Sequence, residues 1–346
     1  MQTEAAVLIE CHQPLRLLSL SIPTLKAGQV LVEVAYSGVC HSQLLETQGK
    51  RGPDRFLPHT LGHEGSGVVL ETGPGVGKVK AGQPVVLSWI KGSGADVSSS
   101  LYQSRLGTVQ SGALSTFMGK TVTCENRVTP IPEAMPLREA SLFGCALPTG
   151  GGMVMNLAQP GPHSSLAVFG VGGIGLCAVA AARLLEVETI IAVDVSDEKL
   201  RRARLLGAHH GINASRQDVL AALRDRTGGR GVDCAIEAAG RRETMETAFE
   251  AVSDQGGLCV IAGNLPAGER ITLDPFGLIR GKRIIGTWGG ETQPDRDIPR
   301  YAHLYLSGKL RLDPIISHTF QLQDINQALH LLEKGEGARS ILKLQS

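Results

Sequence analysis

No stretch of the sequence approaches the roughly 18 uninterrupted apolar residues that a membrane-spanning helix needs, so a membrane span is not expected. Charge of one sign is lacking too: 34 Lys plus Arg face 33 Asp plus Glu, for a formal charge of +1. With no run of like charges, a nucleic-acid or anionic-membrane surface is not expected, and a small molecule is the natural partner. The cysteines number seven, an odd count, scattered and without a CxxC pair. That pattern argues against a disulfide framework and for a reducing compartment, the cytoplasm. The first residues carry Glu4 and no basic segment, which does not fit a secretory signal. Internal repeats are also absent, and the 43 glycines cluster at turns between apolar runs instead of following a low-complexity period.

What is present divides the chain. A length of 346 residues exceeds the usual span of one domain. From Ala5 to Pro130 short β-branched runs such as QVLVEVAYSGVC and GSGVVLETG are broken by Gly, Pro and Asp, which predicts an antiparallel, partly barrel-like domain. From Ser164 to Gly289 strands alternate with helical segments, and this predicts an α/β domain with a doubly wound parallel sheet. The tail from Glu291 reads as mixed structure that packs back onto the first domain and ends in a helix, INQALHLLEKG, and a strand, SILKL.

The segment GVGGIG follows the apolar strand LAVFG and opens a helix. Its glycines Gly170, Gly172 and Gly175, with Gly173 between them, fit the dinucleotide fingerprint, in which a pyrophosphate rests on a helix N-terminus. A glycine-rich turn alone would be weak, because glycine is abundant here. Asp194 ends the next strand about 20 residues on, where a carboxylate can accept hydrogen bonds from ribose hydroxyls. It would also repel a 2′-phosphate, and Val195 and Ser196 offer no cation, so NAD is expected over NADP. Arg201 and Arg202 read as the solvated face of a helix capped by Ser196.

Three further contexts carry metal chemistry: GVCHS around Cys40, LGHEG around His63 and FGCALPTG around Cys145. Two thiolates and one imidazole, with a fourth position open, are what a catalytic zinc requires. Singly, each residue would read as structural, since a free Cys is commonly buried and a lone His often only caps a turn.

Together these motifs resemble the zinc-dependent alcohol dehydrogenases of the medium-chain dehydrogenase/reductase superfamily, a likeness that runs through LGHEGSGVVLETGPGV and the ending DPIISHTFQLQDINQALHLLEKGEGARSILKL. The resemblance implies that Cys40, His63 and Cys145 hold one catalytic zinc and that Glu64 can briefly ligate the metal. It makes Ser42 the hydroxyl that relays the substrate proton and Trp89 an aromatic pocket wall. Thr149 becomes a cofactor contact, Lys199 an adenosine-ribose contact and Arg339 a pyrophosphate contact, and His41 either contacts phosphate or fills its turn. A GroES-like catalytic domain, residues 1–147 and 290–346, is implied around a Rossmann domain of residues 148–289. Pairing into a homodimer or homotetramer is implied through an edge strand, with RIIGTWGG as the candidate.

The sequence also departs from the family. The four positions that would hold a second, structural zinc are Ser93, Asp96, Ser99 and Gly107, so that zinc is not expected and the loop should be reorganised or mobile. Gln43 stands where relatives carry an Asp that orients the zinc-binding His, which weakens expected metal retention. Leu45 replaces the His that passes the proton to solvent. His59, His209, His210 and His318 read as ordinary polar residues. The expected reaction is hydride transfer between an alcohol and NAD, with Trp89 leaning towards primary or aromatic alcohols. A polyol or amino-cyclitol dehydrogenase and a catalytically silent NAD(H)-binding homologue stand as alternatives.

Overall fold

The structure of the protein, a computed structural model, describes residues 1–345. It divides into two compact units: Met1–Cys145, Gln293–Ser307 and the chain from Ile316 on form the first, Ala146–Thr292 and Gly308–Ile315 the second.

The first unit opens with β1 (Gln2–Leu8), β2 (Arg16–Ser21), β3 (Gln29–Gly38), β4 (His59–Thr60), β5 (Glu64–Thr72), β6 (Pro84–Ser88), β7 (Leu101–Ser104), β8 (Gly107–Gln110), β9 (Lys120–Cys124) and β10 (Val128–Pro130). The second unit holds β11 (Ser165–Phe169), β12 (Thr189–Asp194), β13 (His210–Asn213), β14 (Cys234–Glu237), β15 (Leu258–Ile261) and β16 (Arg283–Gly286). The chain then returns to the first unit with β17 (Ile316–Gln321) and β18 (Arg339–Lys343).

Strands β1, β2, β7, β8 and β4 close a small barrel, and β10-β6-β5-β3-β18-β17 form a sheet in which β9 also pairs with β3. Strand β3 is mostly buried because it is flanked by β5, β9 and β18, and its Val-rich sequence suits a strand packed on both faces. Its register places the candidate site. Ser37 lies opposite Gly65, so the residues that follow β3 sit beside those that precede β5. Glu64 lies opposite Ser88, which brings the chain after β6 to the same place.

The second unit is a six-stranded parallel sheet in the order β13-β12-β11-β14-β15-β16. The order reverses between β11 and β14, the switch point at which such sheets bind ligands beyond their strand ends. Its core packs Ala167, Phe169, Ile191, Val193 and Ile212 against Phe249 and Val252.

The tail contains an element not read from the sequence, a helix over Pro294–Leu306. Two prolines disguise it. Pro294 occupies the first turn, where its missing N–H costs nothing, but Pro299 stands inside the helix, where proline normally breaks the pattern.

Candidate active site

Cys40 is the N-cap of the helix His41–Thr47 that leaves β3, with extended backbone angles (φ −114°, ψ 153°). His63 lies one residue before β5, and its carbonyl accepts the Trp89 N–H at 3.0 Å. Cys145 ends the tight turn Ser141–Gly144, whose last carbonyl accepts the Ser88 hydroxyl at 2.8 Å. One ligand atom from each of Cys40, His63 and Cys145 lies within 4.8 Å of the others. All three come from different parts of the sequence; the β3–β5 register brings Cys40 beside His63, and the Ser88 bond to Gly144 brings in Cys145.

Glycine makes the room. A Cβ on Gly38 would collide with the Glu64 carboxylate, and one on Gly144 with the Leu87 carbonyl and Glu64. Any larger residue at either point would push the end of β3 that leads to Cys40, or the turn that leads to Cys145, off Glu64.

Glu64 is fully buried and pairs with Arg339, whose Nε donates to Glu64 Oε1 at 2.8 Å while its Nη2 meets the same oxygen. Burial works against the Arg339 charge, yet Glu64, Cys40 and Cys145 around it outweigh that and hold its pKa well above the ordinary arginine value. In the thiol pair, the hydrogen bond from Cys145, against burial and with help from Arg339 and His63, holds Cys40 well below the usual thiol range. The bond to Cys40 and burial push Cys145 up. Two sulfurs and one imidazole nitrogen, with the Arg339 cation beside them, are a donor set that fits Zn²⁺.

His63 presents Nε2 to Cys145 Sγ at 3.2 Å. On its other side Nδ1 meets the Gln43 amide, with Ser42 Oγ at 3.4 Å. Trp89 stands edge-on to the ring, centroids 6.4 Å apart, with its indole N–H buried and unpartnered. His41 is exposed at the start of its helix and Leu45 is buried within it.

In the second unit the fingerprint glycines have separate reasons. Gly170 adopts φ +80°, and a Cβ there would strike Ala239; Gly175 packs on the Gly170 carbonyl; Gly172 faces open space at the N-cap of the helix that Gly173 begins. These are the tight turn, the close packing and the open approach that a dinucleotide loop needs. The Asp194 carboxylate accepts the Val171 N–H at 2.9 Å and the Ser196 N–H at 3.0 Å, tying the end of β12 to the loop. Thr149 is buried in the helix Ala146–Gly152, and Lys199 is half-buried in the first turn of its helix.

The segment from Ser93 to Gly107 is held by hydrogen bonds at its start. Glu125 gathers it, accepting the N–H groups of Gly77 and Lys78 at 2.7 Å each and of Ala95 at 3.0 Å. Asp295 accepts the Ser93 N–H at 2.5 Å and pairs with Lys78, and the rest of the segment forms the β7–β8 hairpin.

Two groupings escape the sequence. One is the Glu64–Arg339 pair, between residues at opposite ends of the chain. The other is Glu46, Asp54 and His59, whose polar atoms lie within 4.8 Å of one another, with His59 Nε2 on Asp54 at 2.7 Å. His209 accepts the Ile190 N–H at 3.0 Å, an ordinary structural use.

Residues 26–133 match the model of the alcohol dehydrogenase GroES-like domain, and residues 173–307 that of the zinc-binding dehydrogenase. The S-(hydroxymethyl)glutathione dehydrogenase of Paracoccus denitrificans is 32% identical over 376 aligned residues, covering 99% of this chain and 100% of that protein. The chain belongs to the zinc-dependent alcohol dehydrogenases. Among solved structures of this family, the alcohol dehydrogenase zinc-binding domain protein from Burkholderia ambifaria superposes with a TM-score of 0.92 at 31% identity, each chain covered to 100%. Benzyl alcohol dehydrogenase from Acinetobacter calcoaceticus gives 0.89 at 29% identity, again over 100% of both chains. As a member of this dehydrogenase family the chain is a zinc-binding oxidoreductase, which sets aside the silent nucleotide-binding homologue.

Proposed function

We propose that this dehydrogenase interconverts a primary alcohol and its aldehyde with NAD, using one catalytic zinc held by Cys40, His63 and Cys145. The convergence of those three side chains on one point carries the reading. The substrate class is supported by the relatives' names, since a hydroxymethyl thioether and benzyl alcohol both present a CH₂OH carbon. Trp89 beside His63 supplies an apolar wall for such a group.

Zinc, when bound, supplies Lewis acidity that lowers the pKa of an alcohol towards neutrality, and NAD accepts the hydride. The protein does the remainder. Cys40, Cys145 and His63 would hold the metal, and Arg339 offsets the charge of the sulfurs from a buried site. Ser42, at the start of its helix, takes the alcohol proton at Oγ and passes it on. Glu64, held on Arg339, stands close to the thiols and serves as a transient ligand during exchange. Gly170, whose own N–H is spent on the Val193 carbonyl, shapes the turn, Gly175 allows close packing, and the N–H groups at the helix start, from Gly172 and Gly173, face the pyrophosphate, while Asp194 accepts the ribose hydroxyls and disfavours a 2′-phosphate. Thr149, Lys199, Arg339 and His41 are further proposed cofactor contacts.

No structural zinc is proposed for residues 93–107, where Glu125 and Asp295 hold the backbone. Homo-oligomers are proposed through β16, an edge strand with Ile285 and Trp288 exposed beside Phe276 and Ile279. No helix among the described residues is long and apolar enough to cross a membrane, and the seven free cysteines agree with a reducing compartment, for which we propose the cytoplasm.

The test is turnover of primary, secondary and poly-alcohols with NAD and NADP, beside metal analysis of wild type and Cys145→Ala. The variant should lose metal and turnover but keep NADH binding, since the glycine loop belongs to the other unit. Preference for secondary or polyhydric alcohols would overturn the substrate class, and turnover without metal would overturn the mechanism.

A further inference from the structure

The reading above requires His63 to bind zinc through Nε2, the nitrogen that faces Cys145. A neutral imidazole offers that lone pair only when its hydrogen sits on Nδ1. What meets Nδ1 therefore decides how ready His63 is for the metal.

Nδ1 meets Gln43, and Gln43 has a second obligation. Its Oε1 accepts the Cys40 backbone N–H at 2.9 Å, at the N-terminus of the same helix, while its Nε2 lies against His63 Nδ1. The Cys40 N–H can only donate, so it claims the amide oxygen and leaves the amide N–H groups for the ring. In that arrangement the Gln43 amide donates to Nδ1, and the ring hydrogen is placed on Nε2, towards Cys145. Metal binding would place the hydrogen on Nδ1, where it meets the Gln43 amide nitrogen, itself a donor, because the amide oxygen points to the Cys40 N–H. Gln43 is only 2% exposed, which leaves little room for water between it and the ring, and a poorly met donor there is costly. The Ser42 hydroxyl, 3.4 Å from Nδ1, is a long reach for a replacement.

We propose that Gln43 is a positioning residue that holds His63 in the hydrogen arrangement opposed to metal binding, so that this enzyme's zinc is weakly held and readily exchanged. The proposal rests on the ligand set assigned above. It makes a specific design rule: Glu at position 43 has the same shape and two acceptor oxygens, one for the Cys40 N–H and one for Nδ1–H, and relieves the conflict.

The experiment compares wild type and Gln43→Glu in three measurements at one fixed pH. Imidazole ¹⁵N spectra of the metal-free proteins report the hydrogen position on His63. Zn²⁺ competition with a chromophoric chelator reports affinity and release. Co²⁺ titration reports thiolate ligation through its charge-transfer band. Metal-free wild type should carry the hydrogen on Nε2 and Gln43→Glu on Nδ1. Gln43→Glu should hold Zn²⁺ about 10- to 100-fold more tightly and release it more slowly. The proposal is overturned if wild type already carries the hydrogen on Nδ1, if Gln43→Glu binds no more tightly, or if it binds more tightly without moving the hydrogen, which would be a plain charge effect. Absence of a thiolate band with Co²⁺ in both proteins would overturn the ligand set and the proposal together, whereas a normal band with unchanged affinity would overturn the proposal alone.

Discussion

The guanidinium of Arg339 lies on the carboxylate of Glu64 inside the protein, with both side chains almost wholly removed from solvent. Strand β18 carries Arg339 to the edge of β3, and Glu64 begins β5 on the other side of β3. The pair therefore clamps the C-terminal strand to the part of the sheet from which the candidate zinc ligands rise.

Removing one member of such a pair leaves the other charged and unmet, which typically costs ~3–5 kcal/mol, whereas removing both charges is far milder. Arg339→Gln should thus destabilise the protein by about that amount, and Glu64→Gln combined with Arg339→Gln should recover a good part of it. Urea unfolding of the three proteins checks this. A double variant as unstable as Arg339→Gln would show that Glu64 does not depend on Arg339.

Asp194 carries the cofactor prediction. Asp194→Gly with Val195→Arg removes the carboxylate proposed to face the ribose and adds a cation for a 2′-phosphate, so kcat/KM should shift from NAD towards NADP. Because Asp194 also accepts the Val171 N–H, some loss of affinity for both cofactors is expected. Equal use of NAD and NADP by wild type would remove the role assigned to Asp194.

How far the site was legible follows from where each fact resides. Cys40, His63 and Cys145 could be picked out because zinc demands those residue types, and the short apolar strands around them indicated a sheet that could gather them. The glycine loop was equally open to reading, since strand, turn and helix are contiguous there. The conflict at Gln43 was not, although its replacement of an acid was visible. It depends on one amide oxygen being claimed by the Cys40 N–H, a matter of three-dimensional placement. The Glu64–Arg339 pair joins residues 275 positions apart, and no local pattern announces it. The helix at Pro294–Leu306 was concealed by Pro299, whose local preference yields to the burial of Ile298, Tyr301 and Ala302.

The loop around Ser93 to Gly107 gives a pH prediction. Burial opposes ionisation of Glu125, but the N–H groups of Ala95, Lys78 and Gly77 outweigh it and hold the carboxyl below the usual glutamate range. Asp295 is likewise held low, burial being outweighed by Lys78 and Ser93. A depressed carboxyl stabilises the fold fully above its unfolded pKa of ~4, and this contribution is lost as pH falls through the lower, folded value. Glu125→Gln should lower Tm at neutral pH, since its amide N–H groups cannot accept from three backbone donors. It should also flatten the fall of Tm below about pH 4.5. Parallel Tm curves for wild type and variant through that range would show that Glu125 does not anchor the loop.

The last prediction concerns the alcohol proton. Ser42 Oγ is half-buried and 3.4 Å from His63 Nδ1, while Leu45, one turn further along the helix, is buried and can neither accept nor donate. A proton taken by Ser42 therefore has no side-chain acceptor at that position and must leave through the cofactor ribose or water. Removing a group that moves a proton in the transition state costs typically ~10²- to 10⁴-fold, and less where it only passes the proton onward. Ser42→Ala should depress turnover across the whole pH range with zinc content unchanged, whereas Ser42→Thr, which keeps the hydroxyl, should retain most of it. Leu45→His should raise alcohol oxidation most below neutral pH, with the gain following the titration of the new imidazole; burial there lowers that imidazole's pKa. The measurement is turnover against pH with protiated and deuterated alcohol, under conditions where hydride transfer shows an isotope effect. If Ser42→Ala turns over like wild type under those conditions, the proton does not leave through Ser42, and the relay fails at its first step.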